Sequence, residues 1–498
     1  MTSSDDCVEL SRRFRAGETS AVAIAESTVA SIARLDGALH AFLTHDKEAL
    51  LEAARALDEK RARVGRDALG PLAGVPVALK DAIVTRGVRT TAGSRILEHY
   101  VPPYDATVVA RLRAADALLP GKTNLDELAM GSSTEHSAFG PSKNPWDTSR
   151  CPGGSSGGSA VAVAARMTPA SLGSDTGGSI RQPAAFTGVV GVKPTYGRVS
   201  RFGLVAFASS LDQIGPFATS VRGAARVLGV IAGHDPNDAT SLDAPIADYE
   251  GACAASVKGL RVGVPDEYFA RGLSADVEAS VRAAIARLER DGAIVTRIAL
   301  PHTPHAVATY YVLATAEASS NLARLDGVRY GLRVAGNAGK SAGAGVADEV
   351  QAMYGATRDA GFGAEVKRRI LLGTFVLSAG YYDAYYRKAE AVRALIRRDF
   401  ERAFADVDAI LTPTAPTPAF PLGAHTRDPL SMYLSDIYTL PASLAGLPAL
   451  SVPVEPTPDG LPVGLQIMAP WLKETTLFTL AAAVEASAPP RVPPLALR

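Results

Sequence analysis

Two loops rich in glycine and serine, together with one lysine at the end of an apolar stretch, are the residues of this sequence best suited to chemistry. The first loop, CPGGSSGG over residues 151–158, carries Ser155. The second, SDTGGS over 174–179, carries Ser179, and the segment GVPVALK ends at Lys80. A serine hydroxyl becomes an effective nucleophile when a base takes its proton. The first question is therefore which residue supplies the base.

The first loop also matches G-x-S-x-G, the pattern of the nucleophile elbow in serine hydrolases, through Gly153, Ser155 and Gly157. An elbow needs a strand directly before it and a histidine partner downstream. The preceding residues, KNPWDTSRCP, are not typical of a strand, and none of the eight histidines lies in a context that pairs with Ser155. A plain linker is disfavoured too, because the loop opens onto a strongly apolar stretch. These observations disfavour the elbow assignment.

The second loop is suited to stabilising negative charge. Two glycines before Ser179 let the backbone approach a substrate carbonyl without interference from a Cβ atom. Successive N–H groups in such a turn, here those of Thr176, Gly177 and Gly178, can bind an oxyanion. Asp175 can pin this loop through bonds from its side chain to backbone groups, and a plain turn aspartate fits the pattern equally well.

Because no histidine is in place, a neutral lysine must serve as the base. An ordinary lysine titrates near 10.4, and lowering its pKa to about 7 costs ~4 to 5 kcal/mol. Burial in an apolar site lowers a lysine pKa by about 3 units or more, and GVPVAL is typical of a buried strand. Asp81 would oppose this shift, but strand alternation directs the side chains of Lys80 and Asp81 to opposite faces. We expect Lys80 to be largely neutral at working pH.

Composition limits the class of protein. The chain has 498 residues, 47% of them hydrophobic, and 51 basic residues balance 51 acidic ones. No basic block offers an electrostatic footprint for nucleic acid. Three widely spaced cysteines exclude a disulfide framework and a C-x-x-C metal site. The first residues lack the features of a secretory signal, and no apolar run approaches about 18 residues, so we expect a cytoplasmic protein without a membrane span.

The predicted elements alternate between strands and helices. LRVGVP, the amphipathic SADVEASVRAAIARLERDG and AIVTRIAL predict a β-α-β unit. Gly292 is expected to end its helix, in which four apolar residues share one face: Val277, Val281, Ile285 and Leu288. Further strands are predicted at GVPVALKDAIV, VVGVK, DAILTPTAP, PALSVPV and VGLQIMAP. Further helices are predicted over 19–65 (one or two helices), 106–119, 159–167, 310–326 and 361–405. The pattern indicates an α/β fold with a mixed sheet.

The two loops also support a resemblance to a known family. GGSSGGSAVAVAA, then GSDTGGSIRQPAAFTGVVGVKPTYG, with the upstream GVPVALKD, resembles the amidase-signature hydrolases, which use a Ser–Ser–Lys triad. Within that family, segments such as RVSRFGLVAFASSLDQIGP and SAGYYDAYYRKA are similar to the glutaminase subunits of tRNA-dependent amidotransferases, over roughly residues 70–470. The resemblance implies a large mixed β-sheet flanked by helices on both sides. It also implies one domain over 1–498, with a signature core at about 70–220 and a helical N-terminal segment at about 1–65.

The resemblance assigns roles to the candidate catalytic residues. Ser179 is expected to be the nucleophile that forms an acyl ester, Ser155 the bridging serine and Lys80 the base. The backbone N–H groups of Thr176, Gly177 and Gly178 are expected to form the oxyanion hole.

The resemblance also assigns substrate contacts. Arg369, in EVKRRI, is expected to bind an α-carboxylate, Asp436, in SMYLSDIY, an α-amine, and Tyr310 is a further contact. Arginine suits a carboxylate because its planar fork can bond both oxygens. Arg368 points about 100° away on a helix, so only one of the two arginines should face the site.

The resemblance implies hydrolysis of glutamine, or asparagine, to release ammonia. A second subunit would bind tRNA and use ATP and Mg²⁺ to convert Glu-tRNA(Gln) to Gln-tRNA(Gln), or Asp-tRNA(Asn) to Asn-tRNA(Asn), and a small third subunit would complete a heterotrimer. No cofactor and no metal are expected in this chain, and its neutral charge agrees with tRNA lying mainly on the partner. Which tRNA is the acceptor stays open.

Three other interpretations remain. A stand-alone amidase acting on a small or fatty amide would share the triad. Gly339, Lys340 and Ser341 resemble the end of a nucleotide-binding P-loop, but that motif needs a glycine where the chain has Val334. We favour an accidental match in a flexible Gly/Ala-rich insertion over 334–345. A non-catalytic scaffold is disfavoured by the intact triad.

Overall fold

The computed structural model of the chain describes residues 6–270, 272–335, 346–426 and 428–489. Within these ranges, eleven strands form one sheet. The strands are β1 Phe42–His45, β2 Val77–Lys80, β3 Gly121–Thr123, β4 Ala170–Asp175, β5 Val190–Lys193, β6 Gln213–Ala218, β7 Arg261–Pro265, β8 Ile294–Ile298, β9 Ala409–Pro413, β10 Ala449–Pro453 and β11 Gly464–Met468.

Sixteen α-helices accompany the sheet in the described ranges. They are α1 Cys7–Ala16, α2 Ala21–Leu39, α3 Lys47–Val64, α4 Thr107–Ala114, α5 Gly157–Ala164, α6 Arg181–Thr187, α7 Val221–Ile231, α8 Tyr249–Ala252, α9 Ala275–Arg290, α10 Ala306–Asn321, α11 Val346–Gly361, α12 Ala364–Leu377, α13 Lys388–Asp406, α14 Pro429–Leu434, α15 Leu440–Leu444 and α16 Glu474–Ser487.

The sheet is mixed, with the strand order β1-β3-β2-β4-β6-β5-β10-β11-β9-β7-β8. Strand β2 runs parallel to β3 and β4, whereas β4 is antiparallel to β6. Alternation along β2 sends Val77 and Leu79 into a core shared with α4 and α7, and Ala78 into a core shared with α2 and α5. Helices therefore cover both faces, and the predicted α/β fold with a large mixed sheet is confirmed.

The predicted β-α-β unit is confirmed. Strands β7 and β8 pair in parallel, and α9 connects them. Gly292 adopts a φ of +100° two residues after the helix ends, a conformation that glycine favours. The four residues of the predicted apolar face are all buried against the core: Val277, Val281, Ile285 and Leu288.

The bounds of several predicted helices differ from those observed. The pattern over 106–119 predicted one helix, but α4 ends at Ala114 because Asp116 takes a left-handed φ of +62° and Leu118 joins a bridge to Pro76. The predicted helix over 361–405 is interrupted between α12 and α13, where Gly380 has a φ of +86°.

Several strands were missed by the sequence prediction. Residues 173–175 were assigned to the second serine loop, but they belong to β4, whose six residues all pair with β6. Strands β1 and β3 have only four and three residues and offer too short an alternation to detect. Gly339 to Ser341, whose match to a P-loop was interpreted as accidental, lie outside the described residues. The single-domain organisation over 1–498 stays a prediction.

Candidate active site

Lys80 is the last residue of β2, on the strand face covered by α5, and its side chain is fully buried. Its Nζ atom lies 2.8 Å from Oγ of Ser155, 2.8 Å from Oγ of Ser156 and 3.0 Å from Oγ of Ser174. The structure thus brings together two members of the predicted triad, Lys80 and Ser155. It adds two hydroxyls that the sequence prediction did not single out.

The three hydroxyls around Lys80 differ in the direction of their hydrogen bonds. Ser156 donates its proton to the backbone carbonyl of Ser174, 3.1 Å away, so Ser156 accepts a hydrogen bond from the amine. The hydroxyl protons of Ser155 and Ser174 have no other acceptor among the described residues. A neutral amine offers one lone pair, and either of these two hydroxyls can donate to it. Ser155 is the one predicted to do so.

The surroundings of Lys80 favour the neutral amine. Burial lowers the pKa of Lys80 to about 7, although the charges of Asp126, Asp212 and Asp175 act in the opposite direction. Asp81 turns away, as strand alternation predicted, and its carboxylate lies 3.1 Å from Nζ of Lys122. A large fraction of Lys80 is therefore unprotonated near neutral pH and can accept a proton.

The two serine loops lie side by side. The N–H of Ser156 donates to the carbonyl of Ser179 at 3.3 Å. Ser179 is 8% exposed, and its hydroxyl has no hydrogen-bond partner in the described part of the chain. The structure therefore places Ser179 next to the Lys80–Ser155 pair, with no direct hydrogen bond between the hydroxyls of Ser155 and Ser179. The oxygen of Ser179 remains open to a ligand.

The turn before Ser179 carries unpaired backbone donors. The N–H groups of Thr176, Gly177 and Gly178 donate to no acceptor within the described ranges. A Cβ atom at Gly177 would lie 2.7 Å from Cζ of Tyr310, and one at Gly178 would lie 2.2 Å from Oγ1 of Thr439. The close packing explains the two glycines. A buried turn with free N–H groups is the arrangement that an oxyanion hole requires.

Two buried carboxylates anchor this turn. Asp175 accepts the N–H of Ile180 at 3.2 Å, and its two oxygens each accept a bond of 2.9 Å from the guanidinium of Arg181. Asp212 accepts the hydroxyl of Thr176 at 2.6 Å. The predicted pinning by Asp175 is confirmed, and Arg181 reinforces it.

Arg369 lies on α12 and is only 2% exposed, whereas the side chain of Arg368 is 44% exposed. Only one of the two arginines faces the interior, as predicted. The Nε atom of Arg369 donates to Oε1 of Glu365 at 2.8 Å, while Nη1 and Nη2 of Arg369 have no acceptor among the described residues. A buried guanidinium with a free fork is suited to a carboxylate ligand.

Asp436 is buried two residues after α14. One of its oxygens accepts the hydroxyl of Ser132, and the other, Oδ1, is buried without a partner among the described residues. Burial raises the pKa of Asp436 to about 7. A Cβ atom at Gly178 would lie 3.2 Å from Oδ1, so the unpaired oxygen borders the turn before Ser179. It is suited to an ammonium group.

Tyr310 lies on α10, in contact with the same turn. Its hydroxyl oxygen would be 2.8 Å from a Cβ atom at Gly177. The centre of the neighbouring Tyr311 ring lies 5.1 Å from the centre of the Tyr310 ring. It lies 5.3 Å from Cζ of Arg369. Tyr310 and Asp436 therefore border this turn directly, and Arg369 is connected to it through the rings of Tyr311 and Tyr310.

Among the residues of this site that escaped the sequence prediction are Ser132, Ser156, Ser174 and Glu365. A signal existed for two of them. Ser156 adjoins Ser155, and Glu365 stands four residues before Arg369, the spacing of side-chain pairs on a helix. Ser132 and Ser174 have no such pattern, because their partners are brought to them by the fold.

Two features are absent from the described ranges: a cluster of metal-ligating side chains and a helix that could span a membrane. No group of three or more His, Cys, Asp or Glu side chains there could hold a metal ion. None of the helices described there has the length and apolar character needed to cross a membrane.

Comparison with known proteins places the chain in a family. A family model described as Amidase matches residues 23–478. The chain is 57% identical over 478 residues to a subunit of the Glutamyl-tRNA(Gln) amidotransferase of Acidobacterium capsulatum, and the match covers 95% of this chain and 97% of the relative. Among solved structures, the corresponding Glutamyl-tRNA(Gln) amidotransferase chain from Thermotoga maritima superposes with a TM-score of 0.77 at 44% identity, covering 94% of this chain and 92% of that chain.

A protein named as a peptide amidase has the same fold. The peptide amidase from Stenotrophomonas maltophilia superposes with a TM-score of 0.80 at 32% identity, covering 99% of this chain and 98% of that chain. The family match spans Lys80 and both serine loops together with the segments of Arg369 and Asp436. The chain belongs to the amidase family.

Proposed function

We propose that the chain is the glutaminase subunit of a tRNA-dependent amidotransferase, which hydrolyses glutamine through an acyl ester on Ser179. The observation that carries the proposal is the buried amine of Lys80, 2.8 Å from Oγ of Ser155, beside a turn with free N–H donors. The 57% identity to a chain of a Glutamyl-tRNA(Gln) amidotransferase, over nearly the full length of both proteins, supports the choice of substrate.

In the first half of the reaction, Oγ of Ser179 attacks the side-chain amide carbon of glutamine. The proton of Ser179 passes to Ser155, whose own proton passes to the neutral amine of Lys80. The negative oxygen of the tetrahedral intermediate is stabilised by the N–H groups of Thr176, Gly177 and Gly178. The carbon–nitrogen bond then breaks, the nitrogen receives a proton back through Ser155, and ammonia leaves.

In the second half, water attacks the glutamyl ester. Lys80 accepts a proton from the water through Ser155, the ester bond breaks, and Ser179 recovers its proton as glutamate departs. The pKa of Lys80 at about 7 suits this cycle, because the amine must both accept and return a proton near neutral pH.

Recognition of a free amino acid needs one cation and one anion. Arg369 offers two free Nη groups to the α-carboxylate, and Asp436 offers an unpaired oxygen to the α-ammonium. Tyr310 contacts the turn before Ser179, and its ring packs against the ring of Tyr311, which lies beside Arg369. A buried ion-binding pair of this kind has no purpose in an amidase for neutral fatty amides, which makes a stand-alone amidase the weaker candidate.

The released ammonia is used on a partner. In our proposal, a second subunit binds Glu-tRNA(Gln), or Asp-tRNA(Asn), and activates its side-chain carboxylate with ATP and Mg²⁺, and a third subunit completes a heterotrimer in the cytoplasm. The zero net charge of this chain is consistent with a partner that holds most of the tRNA.

The test is mass spectrometry after brief exposure to glutamine. The wild-type chain, with any subunits that copurify, should carry a glutamyl adduct on the peptide containing Ser179, and Ser179→Ala should carry none. Ser155→Ala is the companion variant, and it should form the adduct much more slowly. An adduct on another residue, or an adduct with a small neutral amide and none with glutamine, would overturn the proposal.

A further inference from the structure

Glu365 lies in the first turn of α12 and is 5% exposed. Its Oε1 accepts hydrogen bonds from Nε of Arg369 at 2.8 Å and from the hydroxyl of Tyr433 at 2.9 Å, and its Oε2 contacts Arg368. Burial alone would raise the pKa of Glu365, but the charge and hydrogen bond of Arg369, the hydrogen bond from Tyr433 and the charge of His136 together hold the pKa below its ordinary value. Glu365 is therefore an ionised, buried carboxylate with three partners.

The bond to Glu365 fixes which edge of the Arg369 guanidinium is free. Because Nε is occupied, the edge that carries Nη1 and Nη2 is left for a ligand. Three aromatic rings, with centroids between 5.3 and 5.5 Å from Cζ, restrict the guanidinium further: Phe207, Tyr311 and Tyr433. A bidentate bond to a carboxylate depends on the orientation of this plane.

The second bond of Glu365 reaches another element. Tyr433 belongs to α14, three residues before Asp436, and the N–H of Asp436 donates to the carbonyl of Tyr433 at 3.3 Å. Glu365 is therefore linked to both residues of the proposed amino acid site: directly to the cation Arg369, and through Tyr433 to the anion Asp436.

We propose that Glu365 is a positioning residue for substrate recognition, which orients the fork of Arg369 and is itself held in place by its second bond, from the hydroxyl of Tyr433. This inference rests on the proposed function. Glu365 does not touch the reacting atoms, so its effect is on binding of the α-carboxylate. A glutamine analogue without that group, 4-aminobutanamide, separates this role from general support of the fold.

The experiment compares steady-state kinetics of the full chain, with the subunits that copurify with it, for L-glutamine and for 4-aminobutanamide. Glu365→Ala should raise KM for glutamine about 10- to 100-fold with little change in kcat, the size expected when a charged hydrogen bond is lost. Its kcat/KM for 4-aminobutanamide should stay within about twofold of wild type. Tyr433→Phe, which keeps the ring and removes only the hydroxyl, should raise KM for glutamine by a smaller factor.

Arg368→Gln is the matched control, because it removes the exposed partner of Glu365 and should leave both substrates unaffected. If Glu365→Ala does not fold, Glu365→Gln and Tyr433→Phe test the same point, and each should impair glutamine selectively. An equal loss of kcat/KM for both substrates, or no loss for glutamine, would overturn the inference. The proposed function would still hold in that case, provided that the wild-type chain hydrolyses glutamine. A wild-type chain that hydrolyses no glutamine would overturn both.

Discussion

The carboxylate of Asp81 and the amine of Lys122 form an ion pair of 3.1 Å that is closed to solvent. Asp81 directly follows Lys80 in the chain, and its negative charge would favour the protonated amine if it were unpaired. Strand β3 runs beside β2, with Lys122 opposite Leu79, and so supplies the compensating charge. Because Lys122 neutralises its charge, the carboxylate of Asp81 can follow Lys80 in the chain without stabilising the protonated form of Lys80.

Removing one member of this pair should destabilise the fold. Lys122→Met leaves Asp81 buried with its two bonds to Thr91 and no countercharge, and we expect a loss of about 3 to 5 kcal/mol in the free energy of unfolding. Urea denaturation measures it. The double variant with Asp81→Asn should recover part of the loss, and a single variant as stable as wild type would show that the pair contributes nothing.

The rate of glutamine hydrolysis should depend on the protonation of Lys80. Because only the neutral amine accepts a proton, and burial lowers the pKa of Lys80 to about 7, kcat at saturating glutamine should rise tenfold per pH unit below about pH 7 and level off above about pH 8. Lys80→Met should lower kcat by about 10²- to 10⁴-fold. A profile without any base ionisation between about pH 6 and 9 would contradict the assignment.

The same pKa makes stability depend on pH in a defined direction. The folded chain releases the proton of Lys80 near pH 7, whereas an unfolded chain keeps this proton up to about pH 10.4. The unfolded state therefore binds more protons between these values, and stability should increase with pH across that window, by up to ~1.4 kcal/mol per pH unit for this group. Lys80→Met should flatten the dependence.

Lys193 provides a matched control. It is also fully buried, and its pKa is lowered to about 7, by burial first and then by the charge of Arg181. Its Nζ donates only to the carbonyl of Pro194 among the described residues, 3.0 Å away. Lys193→Met should flatten the stability profile as Lys80→Met does, yet keep the shape of the pH–rate profile. A shifted rate profile in this variant would assign the ionisation to Lys193.

The sequence predicted the parts of this site that lie close together in the chain. The two serine loops and the strand end at Lys80 are local patterns, and the β-α-β unit over β7 to β8 follows from local periodicity. The partners of Lys80 and Asp436 are different in kind. Ser155 is 75 residues from Lys80, and their pairing was predicted only from the family resemblance. Ser132 is 304 residues from Asp436 and was not predicted. Only the packing of the sheet and helices sets such distances, which is why Ser132 and Ser174 were missed.

Gly177 should tolerate no side chain. A Cβ atom there would lie 2.7 Å from Cζ of Tyr310 and 2.8 Å from Cδ2 of Leu440, so Gly177→Ala must displace Tyr310 or the turn itself. Loss of one oxyanion donor costs about 10²- to 10³-fold in kcat, and we expect a loss of this order. Gly37→Ala is the control, since α2 leaves the space around Gly37 open. That variant should keep full activity, and an active Gly177→Ala enzyme would remove this turn from the mechanism.

Asp436 should lose a proton when glutamine binds. In the free protein, burial raises its pKa to about 7, and its Oδ1 has no partner among the described residues. An ammonium group at Oδ1 favours the charged carboxylate and lowers that pKa. Glutamine binding near pH 6.5 should therefore release up to about one proton, and affinity should increase as pH rises toward about 7.5. Calorimetry in buffers of different ionisation enthalpy measures the release.

Asp436→Asn separates this effect from other titrations. The amide cannot release a proton and binds ammonium weakly, so proton release should vanish and KM for glutamine should rise about 10- to 100-fold. Hydrolysis of 4-carbamoylbutanoate, which has the carboxylate of glutamine but no amine, should change little, because this substrate gives Asp436 no cation to bind. Equal losses of kcat/KM for the two substrates would mean that Asp436 supports the turn before Ser179 through its contact with Gly178. Asp436 would then not bind the ammonium group.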